Sequence, residues 1–386
     1  MAIPVFVLLL EVLAGWRAMR RPPRGQPPGE VPSYVVLVPA HDEEGTIQPT
    51  IAAARRQLAA AARLLVVADN CSDRTADQAR AAGAEVVERH DPLLRGKGHA
   101  LAFGVEHLEE APPAVVIVLD ADCIAAPGAL DLLAATAARL GEPVQGSYMM
   151  VAPPGGSLQV RMAAFAWAVK NQLRPLGLAS LGLPCQLMGS GMAFPWPCIA
   201  GVELASGHLT EDLQLGVKLA AAGHAPRFCP EARVVSAFPE QRCALESQRR
   251  RWEHGHLSMI LAGVPRLLAG AWRPGRIGNL ALALDLLVPP LALLAILVLL
   301  ACGVAAWTAA DQRGGGPAVA VATASLLAFA AAVLLMWWTV GRRWVGLHEL
   351  LRAPAYVLRK LPVYASFVVR RQREWVRTSR QHAARE

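Results

Sequence analysis

Short apolar runs alternate with longer polar-and-apolar stretches along the first third of the chain. YVVLVPA (34–40), RLLVVAD (63–69), AEVVERH (84–90) and AVVIVLDAD (114–122) are rich in β-branched residues and read as strands. Between them TIQPTIAAARRQLAAAA, DRTADQARAAG and GKGHALAFGVEHLEE read as helices, the second closed by Gly83 as a C-cap. Strands alternating with helices at this spacing predict an α/β fold with a parallel sheet and helices on both faces. In such sheets ligands bind beyond the carboxyl ends of the strands. Polar residues gather there: His41-Asp42-Glu43-Glu44 after the first strand, Asp69-Asn70 after the second, and Asp120 and Asp122 after the fourth.

Longer apolar runs predict membrane helices. Residues 281–308 are almost uncharged apart from Asp285, and 318–340 carry no charge. Each exceeds the roughly 18–20 residues needed to cross a hydrocarbon core about 30 Å thick. The linker AADQRGGG between them is short, so the two form a helical hairpin. At the other end MAIPVFVLLLEVLAGW, interrupted by Glu11, reads as a short first transmembrane helix. It has neither the basic n-region nor the A-x-A site of a signal peptide. A hydrophobic fraction of 54% against 18% charged residues agrees with a membrane protein.

The formal net charge is +8, which suits an anionic membrane face, phosphate-bearing ligands or nucleic acid. The basic residues cluster beside the apolar spans, in RAMRRPPR and in 342–385, which disfavours nucleic acid as a partner. The hairpin linker holds a single Arg. The positive-inside rule therefore places 17–278 and the tail in the cytoplasm, with three spans in the inner (cell) membrane. The seven cysteines (71, 123, 185, 198, 229, 243, 302) include no C-x-x-C pair. That argues against a disulfide framework or a structural zinc site and for a reducing compartment.

The chemistry begins at Asp120 and Asp122. Carboxylates on alternate residues at a strand end can both reach one hard cation, Mg2+ or Mn2+, which keeps open positions for phosphate oxygens. Taken alone, D-x-D is more often a solvated strand-end turn. HLTEDLQLGVKLAAAGH places Thr210-Glu211-Asp212 at the start of a helix, where Thr210 can cap and acids are favoured in any case. QRRRW (248–252) precedes the hairpin, and Arg and Trp also suit a headgroup zone. No G-x-G-x-x-G or P-loop follows the first strand; RGKG at 95–98 is too short and follows the wrong one.

VPAHDEE, VADNCSDRT, RGKGHAL, LDAD, TED and QRRRW, in that order, resemble family-2 glycosyltransferases. These are membrane-anchored inverting enzymes of the GT-A fold that include cellulose, chitin and hyaluronan synthases. The resemblance runs from about Tyr34 to the C-terminus. It implies that Pro39, His41 and Glu43 line a nucleotide pocket, that Asp69 contacts the base or ribose, and that Lys97 lies near the nucleotide. It implies further that Asp120 contacts the nucleotide sugar, Asp122 binds the metal and Asp212 is the catalytic base. Gln248, Arg251 and Trp252 match the Q-x-x-R-W motif that binds diphosphate and acceptor. Asp42 stands where the family has Asn after His. LMGSGMAFPW (187–196) reads either as a bulged strand or as the stretch that borders the acceptor in the resembling enzymes.

The organisation expected is thus a transmembrane helix at 1–16, a basic Pro/Gly linker at 17–33 and a GT-A domain at 34–245. A Q-x-x-R-W segment with an interfacial helix follows at 246–278. Transmembrane helices at 281–308 and 318–340 then lead to a basic interfacial tail at 341–386, broken by Pro354 and Pro362. The partners implied are a nucleotide-sugar donor, a saccharide or lipid-linked acceptor, the membrane, and other members of an exopolysaccharide assembly complex. Sugar transfer to polyprenyl phosphate and a non-catalytic scaffold are the competing readings; the second is opposed by the presence of Asp120, Asp122, Asp212 and Arg251.

The charge asymmetry makes a direct prediction of topology. In intact cells an impermeant thiol reagent should label Gly315→Cys and leave Ser379→Cys unlabelled; labelling at 379 refutes the orientation.

Overall fold

The structure, a computed structural model, describes residues 1–21, 30–206, 210–239, 241–273, 276–310 and 316–369. Most of the Pro/Gly linker, the hairpin linker 311–315 and the tail beyond 369 lie outside the described residues. Two compact units are present. Among the described residues one comprises 30–151 and 185–248, and the other 1–21, 152–184 and 249–369.

The first unit is built on a sheet. Its strands are β1 (Tyr34–Ala40), β2 (Ala62–Asp69), β3 (Glu85–Arg89), β4 (Val115–Val118), β5 (Ile124–Ala125), β6 (Val144–Val151), β7 (Met192–Pro195) and β8 (Arg227–Ala237). They form one eight-stranded sheet in the order β3-β2-β1-β4-β7-β6-β8-β5. β1 pairs in parallel with β2 and β4, and β2 with β3. The continuous apolar runs follow from this, because a parallel sheet covered on both faces has no solvent side to make polar. Every residue of VVIV in β4 is buried.

The sheet is mixed, not parallel throughout. β7 runs antiparallel to both β4 and β6, and β5 antiparallel to β8, whereas β6 and β8 are parallel. The first four strands are joined by helical crossovers, which impose parallel pairing. No such crossover constrains β7, since the chain between β6 and β7 runs through helices of the other unit. LMGSGMAFPW is accordingly a loop followed by the strand β7.

β1 is flanked by β2 on one side and β4 on the other, and the order reverses there, so the crevice of the fold opens at their carboxyl ends. The helix Lys97–Leu108 covers β1 and β2 closely enough that a Cβ on its Gly104 would meet Leu37 Cδ1 at 2.6 Å.

The second unit is helical. Ala2–Met19, Leu291–Ala310 and Gly316–Gly341 are long and apolar enough to cross a membrane. The apolar run 281–308 is divided in the structure: Ile277–Leu287 ends at Val288, whose ψ of 106 is extended, and Leu291–Ala310 begins after Pro289-Pro290. Proline forbids the helical conformation to the residue before it and removes a backbone donor, which accounts for the break. Pro354 and Pro362 sit in the first turns of the short helices Ala353–Leu358 and Leu361–Val369, where proline is tolerated.

The charges that interrupt the apolar segments pair with one another. Arg174, at the start of the helix Arg174–Ser180, donates from Nε to Glu11 Oε2 at 2.6 Å. Its Nη2 donates to Asp285 Oδ1 at 2.5 Å and to the Asp285 carbonyl at 2.9 Å. All three residues are buried. Close backbone contact surrounds the triad: a Cβ on Gly177 would lie 2.1 Å from the Glu11 carbonyl oxygen, and one on Gly15 would lie 2.2 Å from that of Leu173. Small residues at a helix crossing permit that approach.

Removing the shared cation should strand two buried carboxylates. Arg174→Met is expected to destabilise the helical unit by about 3–5 kcal/mol, read as a lower apparent Tm in detergent. Combining it with Glu11→Gln and Asp285→Asn should recover most of the loss; a triple variant no more stable than Arg174→Met counts against the account.

Candidate active site

β4 ends at Val118, and the chain continues through Leu119 into Asp120-Ala121-Asp122 at the mouth of the crevice. Lys97, first residue of its helix, donates from Nζ to Asp120 Oδ1 and, at 2.6 Å, to the Gly189 carbonyl. Gly96 before it has φ 123, a left-side conformation that glycine reaches without strain. Gly98 after it must lack a side chain, because a Cβ there would meet the carbonyl oxygens of Ser206 and Leu204 at 2.6 and 2.7 Å. RGKG is therefore the device that brings one ammonium to the end of β4.

Asp212 faces the same point. It is the second residue of the helix Glu211–Ala222. A Cβ on Gly189 would stand 3.4 Å from Asp212 Oδ2 and 3.9 Å from Lys97 Nζ. Gly189 thus lies beside both the carboxylate and the ammonium, with a φ of 96 that favours glycine. Thr210 precedes the helix as its N-cap residue, but its side chain makes no capping bond.

The electrostatics are crowded. Burial alone would lower the Lys97 pKa, but the carboxylate of Asp120, then those of Glu211 and Asp212, outweigh it and hold Lys97 above the ordinary lysine value. Asp120 is pushed up by burial, with Asp122 and Asp212 adding to that push and Lys97 opposing it. Ligand atoms of Asp120, Asp122 and Cys123 lie within 4.8 Å of one another. Burial raises the Cys123 thiol well above its usual range, so the group offers carboxylate oxygens beside a neutral thiol. That donor set suits a hard divalent cation. A second group, Asp42, Cys71 and Asp73, is equally close. Its carboxylates are taken up locally: Asp42 Oδ1 accepts from Ser72 N at 2.6 Å, and Asp73 accepts from Thr75 and from the Glu44 amide.

The other end of the crevice brings together the β1 and β2 termini. Pro39 lies near the end of β1, in register with Val67. His41 Nδ1 is 2.7 Å from the Asp69 carbonyl. Glu43 donates its amide to Thr75 Oγ1 at 2.7 Å and accepts from Thr46 Oγ1 at 2.6 Å. Asp42 adopts φ 50, a conformation that Asn and Asp share in tolerating, so Asp serves this turn as Asn would.

Gln248, Arg251 and Trp252 lie on the helix Arg242–Ala271 at spacings of three and four, and so share one face. Within the helical unit the Trp252 ring packs on Trp167 at 4.8 Å between centroids. Gln248 Oε1 and Arg251 Nε are buried with no hydrogen-bond partner among the described residues.

Three positioning residues escaped the sequence reading. Arg89 fixes Asp69, donating from Nη1 to Oδ1 at 2.6 Å; the parallel register sets the two opposite each other. Ser190 accepts the Asp120 amide at 3.0 Å. Gln145, on β6, holds the glycine loop: its Nε2 donates to the Ser190 carbonyl at 2.9 Å and its Oε1 accepts the Met188 amide at 2.7 Å. A glutamine amid an apolar strand was the available signal for the last.

A family model described as "Glycosyltransferase like family 2" matches residues 32–255. Among solved structures, a mannosyltransferase from Pyrobaculum calidifontis in complex with GDP-Man and Mn2+ aligns with 19% identity over 95% of both chains, TM-score 0.49. Glucosyl-3-phosphoglycerate synthase from Mycobacterium tuberculosis, with Mg2+ and UDP, aligns with 20% identity over 62% of this chain and 84% of that one, TM-score 0.41. The same synthase with Mn2+, UDP and glucosyl-3-phosphoglycerate aligns with 18% identity over 66% and 87%, TM-score 0.41. No curated protein matches the chain.

Gln145→Leu keeps the volume and removes both grips on the glycine loop. Two buried groups are then left unpaired, at roughly 1–3 kcal/mol each. The variant should lose thermal stability and at least tenfold in activity, because Gly189 and Ser190 no longer fix Lys97 and Asp120. Wild-type activity in a folded Gln145→Leu would remove Gln145 from the site's support.

Proposed function

Because the chain belongs to glycosyltransferase family 2, we propose that it is an inverting enzyme moving a sugar from a nucleotide-diphosphate donor, a UDP-sugar, to a membrane-associated acceptor. The acceptor is a saccharide or a lipid-linked molecule of cell-envelope or exopolysaccharide assembly. The observation that carries the reading is the cluster at the end of β4, where Lys97, Asp120 and Asp212 converge on Gly189.

In this reading Pro39, His41, Glu43 and Asp69 receive the nucleotide, with Asp69 held for the purpose by Arg89. Asp120 orients the donor sugar, and Asp122 holds Mg2+ or Mn2+. Bound there, the cation would neutralise charge on the departing diphosphate. Lys97 adds a fixed positive charge, and its raised pKa keeps it charged at any working pH. Inversion is a single displacement: the acceptor oxygen bonds to the anomeric carbon as the bond to the diphosphate breaks, and Asp212 takes the hydroxyl proton. Gln248, Arg251 and Trp252 serve diphosphate and acceptor; Gln248 Oε1 and Arg251 Nε, buried and without a partner among the described residues, are the polar atoms that such a ligand would satisfy. The large domain and the tail face the cytoplasm. The three candidate spans among the described residues make a poor export channel, so a single sugar addition at the membrane fits better than processive secretion.

Membrane fractions given radiolabelled UDP-, GDP- or TDP-sugars should yield lipid-soluble or polymer product with one of them, and none in excess EDTA. Asp212→Asn should bind nucleotide normally and lose transfer by roughly a hundredfold or more, the scale of general-base catalysis. Asp122→Asn should instead weaken metal-dependent nucleotide binding. Full activity in EDTA, or near wild-type transfer by Asp212→Asn, would sink the respective assignment.

A further inference from the structure

The helix that carries Arg251 and Trp252 is gripped on its other faces by the chain's C-terminal helices. Successive residues turn by about 100° around a helix, so Arg249 and Glu253 form a row one step round from Gln248 and Trp252. Lys360 Nζ pairs with Glu253 Oε1. The exposures of the two side chains are 15% and 12%, so this is not a surface ion pair. The Tyr356 ring lies 5.5 Å from the Arg249 guanidinium and 5.6 Å from the Lys360 ammonium. His254 Nε2 donates to the Val363 carbonyl at 3.0 Å, and the His254 ring meets Phe367 edge-on at 5.4 Å. From the remaining side, Arg249 Nη2 donates to the Gln159 carbonyl at 3.0 Å and Trp167 backs Trp252. Arg251, in the middle of this clasped segment, keeps a buried Nε without a partner among the described residues.

We propose that the Glu253–Lys360 ion pair is a latch by which the segment Ala353–Val369 sets the aim of Arg251 and Trp252, making both residues of the pair positioning residues for sugar transfer. The inference rests on the reading that Arg251 and Trp252 act on diphosphate and acceptor. A helix can rotate about its axis with little change in its own hydrogen bonds, so the direction of one face is fixed only by what holds the others. Packing alone tolerates such rotation; a half-buried ion pair does not, because either charge left alone in that setting is costly. A shift of about 1 Å at Arg251 is enough to cost on the order of a hundredfold in rate.

The test uses the full chain in membranes with the radiolabelled nucleotide sugar that the wild type turns over. Lys360→Glu and Glu253→Lys should each lower kcat by about tenfold to a hundredfold, with donor KM within about threefold of wild type. The exchanged pair, Glu253→Lys with Lys360→Glu, should regain most of kcat. Lys360→Arg should keep transfer and Lys360→Met lose it, so the latch remains testable if the exchanged pair does not fold. Single reversals as active as wild type overturn the proposal, as does Lys360→Met equal to Lys360→Arg. Trp252→Ala separates the two claims. If Trp252→Ala transfers fully, the role given to the motif fails and the latch with it. If Trp252→Ala is inactive while Lys360→Glu is fully active, the latch alone fails.

Discussion

One ammonium holds together a site that would otherwise repel itself. Asp120, Asp122, Glu211 and Asp212 are all half-buried around the end of β4, and Lys97 pairs with Asp120 and feels the charge of Glu211 and Asp212. At a few ångströms and in a medium less polar than water, two like charges repel by several kcal/mol. The folded chain therefore depends on where that ammonium sits, and much of the local sequence serves to place it. Gly96 lets the backbone turn into the helix, Gly98 lets the 204–206 backbone approach, and Gly189, at a positive φ, offers its carbonyl to Lys97. Gln145 and Ser190 hold the loop on which Gly189 lies.

The same elements show what can be read from a sequence. β1, β2 and β4 were legible because most of their residues are buried on both faces, which forces a run of β-branched side chains that few other structures need. The chain direction of β7 was not, because strand residues carry no sign of which way the neighbour runs. Asp69 was visible as an acid at a strand end, but its partner Arg89 belongs to another strand and becomes a neighbour only through the parallel register. Glu11 and Asp285 looked like blemishes in apolar segments. Their meaning lies in Arg174, more than a hundred residues from either, and no local pattern connects the three. Pro289-Pro290 was the local signal for the break in the run 281–308, and hydropathy alone passes over it.

The loops at the ends of β1 and β2 show how a departure from a family pattern is absorbed. Asp42 and Asn70 adopt nearly the same left-handed backbone, φ 50 and φ 51. Each uses its side-chain oxygen to accept a neighbouring amide, Ser72 N for Asp42 and Asp91 N for Asn70. What the position requires is tolerance of that conformation and a short acceptor, and Asp and Asn supply both. The additional charge of Asp42 is met by two donors, the amide and hydroxyl of Ser72.

Two different ways of aiming a side chain follow from the two kinds of element. At the end of a parallel strand the backbone ladder fixes direction: Asp120 emerges from β4, whose neighbours on both sides are hydrogen-bonded to it. The Ser190 hydroxyl fixes the Asp120 backbone amide, and the Lys97 ammonium sets the side-chain torsions that remain. Arg251 and Trp252 leave a single long helix, whose ladder is internal and fixes nothing about rotation around its own axis. Direction must then come from outside the helix, from groups that grip particular faces. That is why the polar and aromatic contacts of Gln159, Trp167, Tyr356, Lys360 and Val363 crowd onto the six residues from Arg249 to His254. So many directional contacts at one turn and a half of helix are what the proposed aiming of Arg251 and Trp252 requires.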